Sequence, residues 1–129
     1  MTALVATHVL LHWFGDEQRL SAEQRHLLES AGAENPLYVS DISLWEIATL
    51  FGLKRIALDR PWRVWLERAT APPLVRRVGI SPEVAAEVAC IPDSFHQDPA
   101  DRILVATARV LGAVYPEELI AEVLLAVKQ

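Results

Sequence analysis

Two aspartates three residues apart, Asp98 and Asp101, stand in the stretch His96-Gln97-Asp98-Pro99-Ala100-Asp101-Arg102. The stretch is written as a helix start. Asp98 suits the N-cap, and Pro99 suits the first helical position, where a missing N–H costs nothing. Asp101 falls where an acidic side chain can reach back to the cap's own N–H. Apolar residues then recur at helical spacing through Ile103, Ala106, Thr107 and Val110, with Leu104, Ala108 and Leu111 beside them, and Gly112 stops the run. Two carboxylates thus occupy the positive end of a mostly buried helix, either as caps or as the rim of a metal site. The two uses are compatible, because an acid held charged at a helix start is a ready oxygen ligand for a hard cation.

A third acid, Glu46, lies in Val39-Ser40-Asp41-Ile42-Ser43-Leu44-Trp45-Glu46-Ile47-Ala48. Ser40, Asp41 and Ser43 compete to cap that helix. With Ser43 as cap, Glu46 takes the third helical position, so a capping box is the plain alternative to a ligand role. His8 and His12, four apart, could share a helix face at a metal-compatible spacing. No third ligand accompanies them and no His-Glu-x-x-His pattern is present, so half-buried or surface histidines are expected rather than a zinc site.

The elements that must position these groups alternate along the chain. Ala3-Leu4-Val5-Ala6 is a short buried strand, and the pattern turns helical after Thr7 through Val9, Leu10, Trp13 and Phe14. Ser21-x-x-Gln24 is a capping box for a helix running to about Gly32, and Leu37-Tyr38-Val39 is the second strand. The Glu46 helix follows, burying Leu44, Ile47, Leu50 and Phe51 and ending at Gly52. Another begins near Pro61, capped by Asp59 or Arg60, with Trp62, Trp65, Leu66 and Ala69 on one side; any exposed part of that stripe would suit a partner surface. Residues 74–78 read as a third strand. Ser81-Pro82 then opens a short helix that ends near Cys90-Ile91-Pro92.

Strands alternating with helices predict a single α/β domain over residues 1–129, with a parallel central sheet flanked by helices. Ligand sites in such sheets lie at the carboxyl ends of the strands. That rule brings the strand end at Ala6, the helix carrying Glu46 and the start of the 98–112 helix to one crevice. Three or four carboxylates there could hold Mg²⁺ or Mn²⁺, either of which activates water for attack on phosphorus.

Composition narrows the alternatives. The 129 residues are 52% hydrophobic with a net charge of −5, enough for one core and too acidic for a chain coated in positive charge for nucleic acid. Basic residues gather locally at Lys54-Arg55, at Arg60, Arg63 and Arg68, and at Arg76-Arg77. No apolar run approaches a membrane span, and no basic region precedes the N-terminal apolar stretch, so neither a membrane anchor nor a signal peptide is expected. The single cysteine, Cys90, cannot make an internal disulfide, which suits the cytoplasm, and between Ala89 and Ile91 it reads as a small core residue. There is no glycine-rich phosphate loop, no Gly-x-Ser-x-Gly elbow and no Cys-x-x-Cys.

Three separated segments, in order, resemble those of PIN-domain ribonucleases of the VapC toxin type. Leu4-Val5-Ala6-Thr7-His8-Val9-Leu10-Leu11 is similar to that family's Leu-Asp-Thr-His-x-Leu-Leu opening. The segment around Trp45-Glu46 resembles its Ser-x-Ser-x-Trp-Glu-Ile-Ala helix start, and residues 96–102 resemble its His-x-Asp-Pro-x-Asp-Arg. The resemblance spans roughly residues 3–112. It implies a metal-dependent endoribonuclease, the toxin of a toxin–antitoxin pair, with Glu46 and Asp101 as ligands for Mg²⁺ or Mn²⁺, Asp98 assisting and Thr7 a nearby polar group. It also implies an RNA substrate, a homodimer, and a small antitoxin that lays a helix or extended tail over the acidic crevice.

Two departures bear on activity. Where the family carries an aspartate, this chain has Ala6, a change that reads as inactivating. Beyond about residue 112 the family's Val-Thr-x-Asp segment is replaced by Gly112-Ala113-Val114-Tyr115-Pro116-Glu117-Glu118, so Glu117 and Glu118 are the candidates to replace its acid, or are ordinary first-turn glutamates. The competing class is a non-catalytic PIN-like interaction module that binds an antitoxin-like partner without cutting RNA.

Overall fold

The computed structural model describes residues 3–13, 15, 17–54, 61–94 and 98–112. The chain runs β1 (Ala3–Leu4), α1 (Thr7–Trp13), a 3-10 turn (Glu17–Arg19), α2 (Ala22–Glu29), β2 (Leu37–Ser40), α3 (Asp41–Gly52), α4 (Trp62–Ala69), β3 (Val75–Val78), α5 (Pro82–Val88) and α6 (Pro99–Leu111). The strands pair in parallel in the order β1-β2-β3, with Leu37 opposite both Ala3 and Val75 and Ser40 opposite Val78. The Val5 N–H extends the first pairing to the Tyr38 carbonyl at 2.9 Å. Because the strands are parallel, their carboxyl ends share one edge, and α1 and α3 both start there.

The sheet is sealed by apolar side chains from almost every element. Leu4, Leu10, Leu37, Val39, Ile47, Trp65, Ala69 and Leu104 belong to one buried cluster. Helix α6 is buried on two sides. Ala100, Leu104 and Ala108, one turn apart, face this cluster, while Val105 and Ala106 meet Val84 and Ile91 in a second one. Arg102 fastens the chain after α5 to α6, its Nη2 donating to the Ile91 carbonyl at 3.0 Å, and Arg109 pairs with Glu87 at 2.9 Å.

Local signals set the helix limits where the sequence is unambiguous. Ser21 and Gln24 form both bonds of the capping box, at 3.0 and 2.9 Å. Gly112, at φ +62°, closes α6 in the left-handed region that glycine adopts without strain. Other expectations need correction. Helix α2 stops at Glu29, short of Gly32, because Ser30 turns its hydroxyl back to the Leu27 carbonyl at 2.7 Å and Gly32 pairs with Asn35 instead. Cys90 is exposed rather than in the core: it falls on the turn past the end of α5, and Ile91 takes the buried place. Pro61 is the N-cap of α4 without a side-chain cap bond, and Asp59 and Arg60, expected as its caps, lie outside the described residues. Among the described residues, no helix is long and apolar enough to cross a membrane.

Candidate functional site

The carboxyl edge of the sheet brings Thr7, the first residue of α1, against Ser43 and Glu46 of α3. Thr7 Oγ1 lies 2.6 Å from Glu46 Oε1 and 2.9 Å from Ser43 Oγ. A hydroxyl has one proton to give. Thr7 gives it to the carboxylate, the stronger acceptor, and accepts the proton of Ser43, so the two hydroxyls orient Glu46 in series.

This arrangement depends on which residue caps α3. The cap is Ser40, whose hydroxyl oxygen accepts the Ile42 N–H at 3.1 Å. Ser43 is therefore not the cap and Glu46 closes no capping box, contrary to that reading of the sequence. Ser43 is fully buried and faces Thr7. In the sequence Ser43 stands out only as a competing cap of α3. Its spacing three residues before Glu46, on the same helix face, was the available signal for a site role.

Burial, first, pushes the Glu46 carboxyl above the usual glutamate range. The Thr7 hydrogen bond opposes that shift. The charges of Asp101 and then Asp98 add to it, and His8 offsets a part. The start of α6 thus faces Glu46 closely enough for its carboxylates to act on it. Asp98 is the N-cap of α6, its Oδ1 accepting the Asp101 N–H at 3.1 Å. Glu46, with Thr7 bonded to it, lies opposite Asp101 and Asp98 across the carboxyl edge of the sheet.

Ala6 lies at the same edge, 1% exposed, with its carbonyl accepting the Leu10 N–H at 3.0 Å to begin α1. Its methyl group offers nothing to a cation. Among the described residues, no three His, Cys, Asp or Glu side chains are grouped so as to hold a metal ion. The described residues thus show no closed cage of protein ligands, and the donor chemistry of Glu46 and Asp101, two carboxylates, is that of a hard cation such as Mg²⁺, which keeps water in most of its places. His8 and His12 meet edge to face, ring centres 6.1 Å apart. Glu117 and Glu118 lie outside the described residues.

Two features beside the crevice had no forewarning in the sequence. Asp41, first residue of α3, binds Arg77 Nε at 2.8 Å. Trp45, the residue before Glu46, is 61% exposed. In α4, Trp65 and Ala69 are buried as the aromatic stripe predicted, while Trp62 lies under the Arg63 guanidinium, 5.8 Å from its ring centre, and remains partly exposed.

The PIN domain family model matches residues 3–121. Ribonuclease VapC22 of Mycobacterium tuberculosis is 41% identical over 107 residues, covering 83% of this chain and 78% of that protein. Among solved structures, VapBC2 from Rickettsia felis bound to a DNA fragment from its promoter superposes with a TM-score of 0.66 at 12% identity, covering 89% of this chain and 86% of the other. A toxin–antitoxin complex from Klebsiella pneumoniae gives 0.57 at 20% identity, over 88% and 82%. At these identities the solved structures speak for the fold, and the mycobacterial relative speaks for the family.

Proposed function

The chain belongs to the PIN domain family, and from that premise we propose that it is the toxin of a toxin–antitoxin pair, built as a divalent-metal-dependent endoribonuclease and impaired by Ala6. The observation that carries this reading is the Thr7-bound Glu46 facing Asp101 and Asp98 at the carboxyl edge of a parallel sheet. Glu46 and Asp101 would hold Mg²⁺ or Mn²⁺. Such an ion supplies a water of lowered pKa and neutralises charge on the phosphate. Thr7 and Ser43 fix the direction of Glu46, and Asp98 holds the end of α6 in place while adding negative charge to the crevice. Partial burial of Glu46 raises its pKa first and the charges of Asp101 and Asp98 add to it, so a cation bound there would favour the ionised carboxyl.

The partners proposed with this activity are single-stranded RNA, a cognate antitoxin and a second copy of the chain, acting in the cytoplasm. The mycobacterial relative is named a ribonuclease, and the Klebsiella neighbour is a toxin–antitoxin complex. The partly exposed Trp62 and Val64 of α4 supply apolar surface for protein contact. A second reading, a PIN-like module that binds its partner without cutting RNA, draws on Ala6 and on the lack of a three-ligand group among the described residues.

Restoring the missing acid separates the two. Ala6→Asp should tighten Mn²⁺ binding and give cleavage of single-stranded RNA that EDTA abolishes. Its rate should exceed that of the unaltered chain by on the order of a hundredfold, the cost of a poorly placed water. A gain of neither metal affinity nor cleavage would return the chain to the binding module.

A further inference from the structure

The stripe of α3 that carries Asp41 and Trp45 is presented to solvent at the same edge as Glu46. Asp41 and Trp45 are one turn apart, so their side chains project from one side of the helix. Glu46 follows Trp45 by about 100° around the axis, toward Thr7. An indole at the lip of a crevice therefore lies directly beside the acid that faces into it. Trp45 is 61% exposed, the most exposed of the large apolar side chains described, although the same helix buries Ile42 and Ile47.

A cation is paired to the residue one turn before Trp45. Arg77 Nε meets Asp41 Oδ1 at 2.8 Å, yet the Arg77 side chain stays 62% exposed. The guanidinium is paired to Asp41 through Nε, while most of the side chain faces water. Arg76, also exposed, precedes it on β3, whose carboxyl end lies at the edge where the crevice opens. Arg76 and Arg77 alternate across the strand, so Arg77, paired with Asp41 one turn before Trp45, is the arginine on this side of α3.

We propose that Trp45 and Arg77 form a nucleotide subsite on α3, with the indole stacking one base and the guanidinium contacting the adjoining phosphate of single-stranded RNA. The inference rests on the ribonuclease reading and deepens it. Stacking on an aromatic face is sequence-tolerant, because every base presents a π-face. A planar guanidinium braced on one side by a carboxylate is preorganised for a phosphate oxygen on the other. The cation also offsets the repulsion that the acidic crevice exerts on an RNA backbone. Charge argues for RNA over a second copy of the chain, since the core of a protein–protein interface is depleted of charged residues and this stripe holds an ion pair.

The test uses the full Ala6 chain with Mn²⁺ at low salt and a fluorescein-labelled single-stranded oligoribonucleotide of about 12 nucleotides, followed by anisotropy. Trp45→Ala should weaken binding about tenfold, and Trp45→Phe, which keeps a stacking face, should stay within about threefold of the unaltered chain. Arg77→Ala should weaken binding and lower the slope of log affinity against log salt by about one. If the unaltered chain binds RNA and Trp45→Ala binds it equally well, the subsite is overturned and the ribonuclease reading stands. If Trp45→Ala instead turns a dimer into a monomer by light scattering, with affinity for RNA unchanged, the stripe is a face between copies. If the unaltered chain binds no RNA and Ala6→Asp cleaves none, the ribonuclease reading fails and the subsite with it.

Discussion

The starts of α3 and α6 use the same kinds of residue for different ends. At α6 an aspartate serves the fold: Asp98 Oδ1 takes the Asp101 N–H at 3.1 Å. At α3 that duty falls to a neutral hydroxyl, Ser40 Oγ, on the Ile42 N–H at 3.1 Å. No acid is consumed there. Glu46, the sixth residue of α3, is left to meet Thr7 across the crevice at 2.6 Å. The electrostatic outcomes differ accordingly. Asp98 spends one carboxylate oxygen on the helix it caps, whereas Glu46 is pushed above the usual glutamate range by burial and by the acids opposite. A carboxylate already satisfied by a helix gains less from a cation than one that is buried among like charges. Of the proposed site residues, Glu46, a proposed ligand, is then the acid expected to matter most, and Asp98, proposed only as a helper, the one most easily spared.

Substitution in the restored Ala6→Asp chain puts the largest effect first. Glu46→Gln should cut RNA cleavage by on the order of a hundredfold or more, since the shape is kept but the charge and the metal's place are lost. Asp101→Asn should leave the fold intact and weaken Mn²⁺ binding, read by calorimetric titration. Asp98→Asn keeps a capable N-cap, so stability should fall by less than about 1 kcal/mol, with cleavage reduced by no more than about tenfold. Equal damage from Asp98→Asn and Glu46→Gln breaks the contrast between the two helix starts. An Asp101→Asn protein that melts with its Mn²⁺ affinity untouched would make Asp101 structural.

The same contrast explains what could be read from the chain in advance. The α6 start was legible because its determinants are contiguous: Asp98 caps, Pro99 follows and Gly112 closes, each deciding a local geometry. The parallel sheet and its carboxyl edge were legible from the alternation of strands and helices. The cap of α3 was not, because Ser40 and Ser43 are equally good caps. The choice follows from where β2 stops pairing with β3, at Ser40 opposite Val78. The Thr7–Glu46 bond joins residues 39 apart, and no local pattern encodes it. Exposure of Trp45 and Cys90 was illegible for a related reason: an apolar residue's burial depends on what packs over it. The family resemblance proposes Glu46 and Asp101 as ligands, whereas spacing alone leaves each of them between cap and ligand.

Stability measurements give the next largest effect. Ser40 is buried, so Ser40→Ala leaves the Ile42 N–H without its partner in a place water does not reach. The cost should be about 2 kcal/mol. Asp98 is exposed, and water can replace its oxygen, so Asp98→Ala should cost about 1 kcal/mol or less. Urea unfolding midpoints, with the slope checked for constancy, decide it. The reverse order would mean that α6, and not α3, depends more on its cap.

The smallest effect is a pH dependence that belongs to Glu46. A carboxyl whose pKa is raised on folding binds its proton more tightly in the native state than in the unfolded chain, where the ordinary value is 4.5. Between that value and the raised one, the native state therefore holds more protons, and stability falls as pH rises. Above the folded pKa the whole cost of a buried, repelled charge is present. Without metal, the unfolding midpoint should decline through this window relative to a Glu46→Gln chain, which has no proton to lose at that position. Added Mn²⁺ should reverse the trend near neutral pH, because a cation binding the native state favours the ionised carboxyl that the empty crevice disfavours. The same ion should do little at acid pH, where protons compete for Glu46. A difference between the two chains that stays flat across pH, with or without Mn²⁺, would mean that burial and the acids opposite do not disfavour the charge of Glu46.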